Sequence, residues 1–86
     1  MVERTVIIGS KSGLHARPAG IFVQNTKGFQ CSITLSKNGK QVNAKSILSV
    51  LTLGVEQGDQ VVLHAEGEDA QAAVDKLATL LEGDLG

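Results

Sequence analysis

The sequence predicts an α+β domain of two layers: a four-stranded antiparallel sheet with three helices on one face, in the order β-α-β-β-α-β-α, forming a single domain over residues 1–86. Three observations predict it. The chain has 86 residues, enough for one modest core and no second one. Four segments alternate apolar and polar residues, so each has only one face to bury. Three further segments carry apolar residues at helical spacing and must cover that face.

"VERTVII" comes first, with Val2, Arg4, Val6 and Ile8 on one side and Glu3, Thr5 and Ile7 on the other. Its β-branched residues favour a strand. "GSKSG" is a loop. From Ala16 onward, Ala19, Phe22, Val23 and Thr26 follow helical spacing, and Gly28 ends the helix. "QCSITLS" then alternates, with Cys31, Ile33 and Leu35 on one face. Asn38-Gly39 signals a tight hairpin turn into the short return strand "KQVN". "SILSVLTLG" reads as a short helix with Ser46 as N-cap and Gly54 just past its end. "EQGD" is a turn, and "QVVLHAE" a strand with Val61, Leu63 and Ala65 inward and Val62 and His64 toward water. Ala70, Ala73, Val74, Leu77, Leu80 and Leu81 form the stripe of a last helix that starts near Asp69.

Composition excludes several function classes. There is no Trp or Tyr and there are only two Phe, so stacking platforms for single-stranded nucleic acid are absent. A net charge of -1 also argues against nucleic-acid binding. No apolar run approaches transmembrane length, so no membrane insertion is expected. The start "MVERTVIIGS" lacks a signal-peptide pattern, and Cys31 is the only cysteine. Together these point to a cytoplasmic protein. Charge is unevenly divided: residues 1–45 sum to +6 and residues 46–86 to -7. Such asymmetry either makes a basic face for an anionic partner or cancels as the halves interleave in space.

"GLHARP" concentrates the chemistry. Pro18 is tolerated in a first helical turn, because the N–H it lacks would be unpaired there. His15 then falls at the N-cap. The free N–H groups of Ala16 and Arg17, the positive helix end and the forked guanidinium of Arg17 all suit phosphate oxygens. Imidazole is a competent nucleophile. The arrangement would therefore accept a phosphoryl group on His15 and hold it. The residue types alone leave a second reading open, a histidine used as a helix cap beside a surface arginine.

"GLHARPA" resembles the phosphorylation-site motif of the HPr family, the histidine-containing phosphocarriers of the bacterial phosphoenolpyruvate-dependent sugar phosphotransferase system. "VNAKSILSVLTLGVEQGDQV" resembles the family's second signature, around a serine before the short helix, and "AEGEDAQAAV" its approach to the last helix. The resemblance covers essentially the whole chain and implies an open-faced β-sandwich. It implies that His15 is phosphorylated on Nδ1 by Enzyme I, which takes the group from phosphoenolpyruvate, and passes it to a sugar-specific Enzyme IIA. Arg17 would stabilise the phosphate, with Ala16 beside it. It implies no metal and no organic cofactor, and a carrier rather than a self-sufficient enzyme. A carrier that exchanges partners is expected to be monomeric.

Ser46 has two readings as well. In Gram-positive relatives the matching serine is phosphorylated by an ATP-dependent kinase, and a phosphorylase and a catabolite-control transcription regulator are then further partners. In enteric relatives it is only a cap. "KSIL" is similar to the Gram-positive form through Ile47, whereas Leu48 and Leu51 replace methionines common there. Ser49 stands where a capping box would place Glu or Gln. Ile47, Leu48, Val50 and Leu51 exceed what a short helix can bury on one stripe, which predicts a docking patch of Ile47, Leu48 and Leu51, with Gly20 giving close approach. His64 and Cys31 are expected to have no chemistry, one on the wet sheet face and one in the core. Two further functions compete with the carrier: a regulatory paralogue acting only through Ser46, and a small domain binding an anionic metabolite at the His15 loop. Retention of His15 favours the carrier over the first, and phosphotransfer separates it from the second.

Overall fold

A computed structural model describes residues 1–83 and 85. The elements are β1 (Val2–Ile7), α1 (Ala16–Thr26), β2 (Ser32–Lys37), β3 (Lys40–Asn43), α2 (Ile47–Leu51), β4 (Gln60–Glu66) and α3 (Ala70–Glu82), in the expected order. All strand pairs are antiparallel, and the sheet runs β1-β4-β2-β3. The final strand in sequence therefore lies between β1 and β2. Its register sets Thr5, Val62 and Ser36 in one row and Glu3, His64 and Thr34 in the next. These rows form the open face, where His64 Nδ1 lies 3.3 Å from Thr34 Oγ1.

On the other face Val6, Ile33, Leu35, Val61, Leu63 and Ala65 are buried under the helices. Phe22, Leu77 and Leu81 come down on them from α1 and α3 and are fully covered. Each such large side chain contributes about 1.5–3 kcal/mol by leaving water. On α3 it is Ala78 that is buried, while Leu80 is only half-buried at the edge of the stripe. Arg4 also points to the helix side, as its parity requires, and reaches Asp75 of α3 at 2.9 Å. The tight β2–β3 turn has Asn38 at φ 52° and Gly39 at φ 84°, two positive values that suit a two-residue hairpin.

The charge asymmetry is interleaved. Arg4 pairs with Asp75, and Lys37 with Asp59 at 2.7 Å, so cations of the first half meet carboxylates of the second. Asp69 marks the start of α3 without capping it; its two carboxylate oxygens take the N–H groups of Gln30 and Cys31, each at 2.9 Å. This fixes the α1–β2 connection to the last helix. The Gln30 bond, and then those from Cys31, hold the Asp69 carboxyl below its usual range. Burial pushes the Cys31 thiol up, with the nearby Asp69 adding to the effect.

A carboxyl lowered in the folded state stabilises above its unfolded pKa, and that stability is lost as pH falls through the folded value. Asp69→Ala is therefore expected to melt below wild type near pH 7. The gap should narrow as the pH falls through the lowered folded value and the wild-type carboxyl is protonated as well. Thermal melts followed by circular dichroism across an acid pH series check this.

Candidate functional site

The site begins where β1 ends. Ile8 N–H donates to the Asp59 carbonyl at 2.9 Å, and Gly58 N–H to the Ile8 carbonyl at 2.8 Å, so the chain leaves the sheet alongside the turn 55–59. Leu14 N–H then donates to the Val55 carbonyl at 2.9 Å. Gly13 sits against the same turn at φ 59°. A Cβ added there would stand 2.3 Å from the Val55 carbonyl oxygen and 2.6 Å from Glu56 Cα. Gly13 is needed both for its left-handed backbone and for this close approach. Buried Leu14 anchors the loop from below.

His15 follows as the N-cap of α1 with extended backbone, φ -74° and ψ -175°. Its carbonyl accepts from Ala19 N–H at 2.9 Å, the first bond of the helix. Its side chain makes no capping bond to α1. The N–H groups of Ala16 and Arg17 have no acceptor among the described residues, and Pro18, buried, has none to satisfy. The imidazole is 59% exposed, open to a partner. Arg17 is exposed and forms no ion pair among the described residues. His15, Ala16 and Arg17 thus come together as the sequence predicts: one accessible ring, two free N–H donors and one exposed guanidinium at a positive helix end.

One contact was not legible in the sequence. His15 Nε2 lies 3.1 Å from each carboxylate oxygen of Glu56, 41 residues away. Glu56 is itself held in place. Its N–H donates to Asp59 Oδ2 at 2.8 Å, and its carbonyl accepts from Asp59 N–H at 3.1 Å. Lys37 pairs with that same Asp59 oxygen and donates to the Gly54 carbonyl at 2.9 Å. The Lys37 bond, followed by that from Glu56 N–H, holds the Asp59 carboxyl below its usual range. Glu56 read as part of a polar turn because nothing local marks it. The one available signal was Gly13, whose need for close approach implies a segment packed against the histidine loop.

Ser46 caps α2, with its Oγ accepting from Ser49 N–H at 3.4 Å. Within α2 only Val50 is buried. Leu48 is 75% exposed, and Ile47 and Leu51 are exposed beside it. Ile21 of α1, absent from the expected patch, is exposed too. Gly20 lies next to Ile47: an added Cβ would meet only Ile47 Cδ1, at 3.7 Å, an ordinary contact. The helix pair therefore does not require glycine there for close approach. Ala16 and Gly20 are one turn apart on α1, so this apolar surface adjoins the face that opens with His15. A surface hollow lined by Cys31, Glu66 and Asp69 lies at the opposite end of α1, and both Asp69 oxygens there are occupied structurally. Among the described residues no group of three or more His, Cys, Asp or Glu could hold a metal ion, and no helix is long and apolar enough to cross a membrane.

Fold and site together define a small α+β domain that presents one imidazole at a helix start. The family described as "PTS HPr component phosphorylation site" matches residues 2–83. The HPr-like protein Crh of Bacillus subtilis is 46% identical over 95% of this chain and 96% of its own. The phosphocarrier protein HPr of Vibrio cholerae is 43% identical, again over 95% and 96%. The crystal structure of HPr-C-His from Thermoanaerobacter tengcongensis superposes with a TM-score of 0.92 at 49% identity, covering 95% of this chain and 92% of that one. The chain belongs to the HPr family.

Two glycine substitutions should have opposite effects. Gly13→Ala is expected to destabilise by about 1–3 kcal/mol, since it adds a clash to an unfavourable φ. Gly20→Ala is expected to stabilise by about 0.5–1 kcal/mol, since the helix gains and the space is free. Urea unfolding midpoints at constant m measure both.

Proposed function

We propose that the chain is a phosphocarrier of the sugar phosphotransferase system. It takes a phosphoryl group from phosphorylated Enzyme I on His15 Nδ1 and passes it to a sugar-specific Enzyme IIA. The observation that supports this most is the exposed imidazole at the α1 start, next to the unpaired N–H groups of Ala16 and Arg17 and the free Arg17 guanidinium. Phosphorylation places a dianion beside donors that have no other acceptor. Arg17 adds a charge-assisted fork. The protein supplies one reactive ring and a binding surface, and the partner supplies the rest of the reaction centre. It acts as a monomer in the cytoplasm, needs no cofactor, and docks both partners through Ile47, Leu48 and Leu51 with Gly20 at their margin.

A second, regulatory role falls to Ser46. It is half-buried at the border of that apolar surface. A kinase and a phosphorylase would set its state, and a catabolite-control transcription regulator would read it. A phosphate there would put charge at the edge of the docking patch and weaken apolar docking. The similarity to Crh keeps a purely regulatory paralogue as the alternative. The presence of His15 in its exposed setting favours the carrier.

Incubation with Enzyme I and phosphoenolpyruvate, followed by mass spectrometry with site localisation, tests the proposal. One acid-labile phosphate on His15 is the expected result, with none on His15→Ala. Arg17→Ala should still be phosphorylated, about tenfold more slowly, through loss of a charge-assisted bond. Phosphate uptake by His15→Ala would overturn the assignment.

A further inference from the structure

We propose that Glu56 is a positioning residue for His15, selecting which ring nitrogen is the nucleophile. The proposal rests on the carrier reading and adds to it a residue outside the "GLHARP" segment. An ionised carboxylate can only accept hydrogen bonds. Both Glu56 oxygens lie 3.1 Å from Nε2, so the hydrogen on the ring resides on Nε2. In the uncharged ring the lone pair then resides on Nδ1. The contact also fixes the ring about its side-chain bonds, and no other side chain among the described residues bonds to it.

The supports of Glu56 suit this role. Its backbone is held through Asp59, which Lys37 holds in turn, and Gly13 lets the histidine loop pack directly against Glu56 Cα. Glu56 is exposed, so the carboxylate adds nothing to the core and its removal leaves the packing intact. The backbone that carries it is nonetheless fixed by hydrogen bonds of its own.

The transfer step balances without moving a proton. The Nδ1 lone pair forms a bond to phosphorus. The bond from phosphorus to the donor's phosphoryl-bearing atom breaks, and its electron pair stays on that atom. The Nε2 hydrogen remains in place, and the ring acquires positive charge that it shares between its nitrogens. Glu56 faces that charge as it develops, while Arg17 and the α1 N–H groups serve the phosphoryl oxygens. Stabilisation that grows along the reaction coordinate accelerates the step.

The experiment uses the full chain with labelled histidine as wild type, Glu56→Ala and Glu56→Gln. Long-range ¹H–¹⁵N correlations give the tautomer ratio of the His15 ring, and rapid-quench assays with Enzyme I and phosphoenolpyruvate give the transfer rate. Wild type should show the Nε2–H form enriched above its share in a free imidazole side chain. Glu56→Ala should fall back to that share and slow by about tenfold, with unchanged melting. Glu56→Gln, whose amide oxygen still accepts from Nε2–H, should recover the tautomer ratio. Phosphate uptake by wild type together with an unaltered ratio and rate in Glu56→Ala would overturn the role of Glu56 alone. A Glu56→Gln ring that behaves like the alanine variant would overturn it as well. Failure of wild type to take up phosphate would overturn the carrier reading, and this proposal with it.

Discussion

The contact on which the site depends is the close packing of the loop before α1 against the turn before β4. Leu14 N–H on the Val55 carbonyl, with Gly13 pressed on Glu56 Cα, brings two segments forty residues apart to van der Waals distance. Without it the imidazole would sit at a helix start with nothing behind it. With it, one ring nitrogen is engaged and the other has no hydrogen-bond partner among the described residues. The sheet makes the contact possible. β1 and β4 are neighbours, so the segment leaving β1 and the segment entering β4 emerge at the same end.

The rest of the molecule holds that end rigid by modest means. Lys37 reaches from the β2–β3 hairpin to Asp59 and the Gly54 carbonyl, so one cation ties the hairpin to both parts of the loop between α2 and β4. Asp69 does the same at the other end of α1, fastening the α1–β2 connection to α3. In a chain of 86 residues the core cannot supply much surplus. Such ties from carboxylates to backbone take over part of the work of ordering loops, at locations where apolar packing does not reach.

The sequence made most of the fold legible because strand alternation and helical spacing are local signals. Val61, Leu63 and Ala65 announce their common face within five residues, and Asn38-Gly39 announces its turn within two. The "GLHARP" cluster was legible for the same reason, as cap, donors and proline all act within one helical turn. Boundaries slipped where tertiary contacts decide them. Cys31 continues the pattern of β2 but is held by Asp69 instead of a strand partner, and Leu80 falls at the edge of a stripe completed by Ala78. Glu56 was invisible because its significance comes from chain reversal alone. Periodicity does not report on which side chains two loops will bring together.

The exposed aliphatic surface of α2 has a kinetic consequence. Under the proposed carrier role, a single small patch beside a single ring could not receive a donor and an acceptor at once, so the two would visit in turn. Throughput would then be capped by how fast each visitor departs, and tight association would be a handicap. A few half-open side chains such as Ile47 and Leu51, around one prominent Leu48, suit brief encounters of that kind.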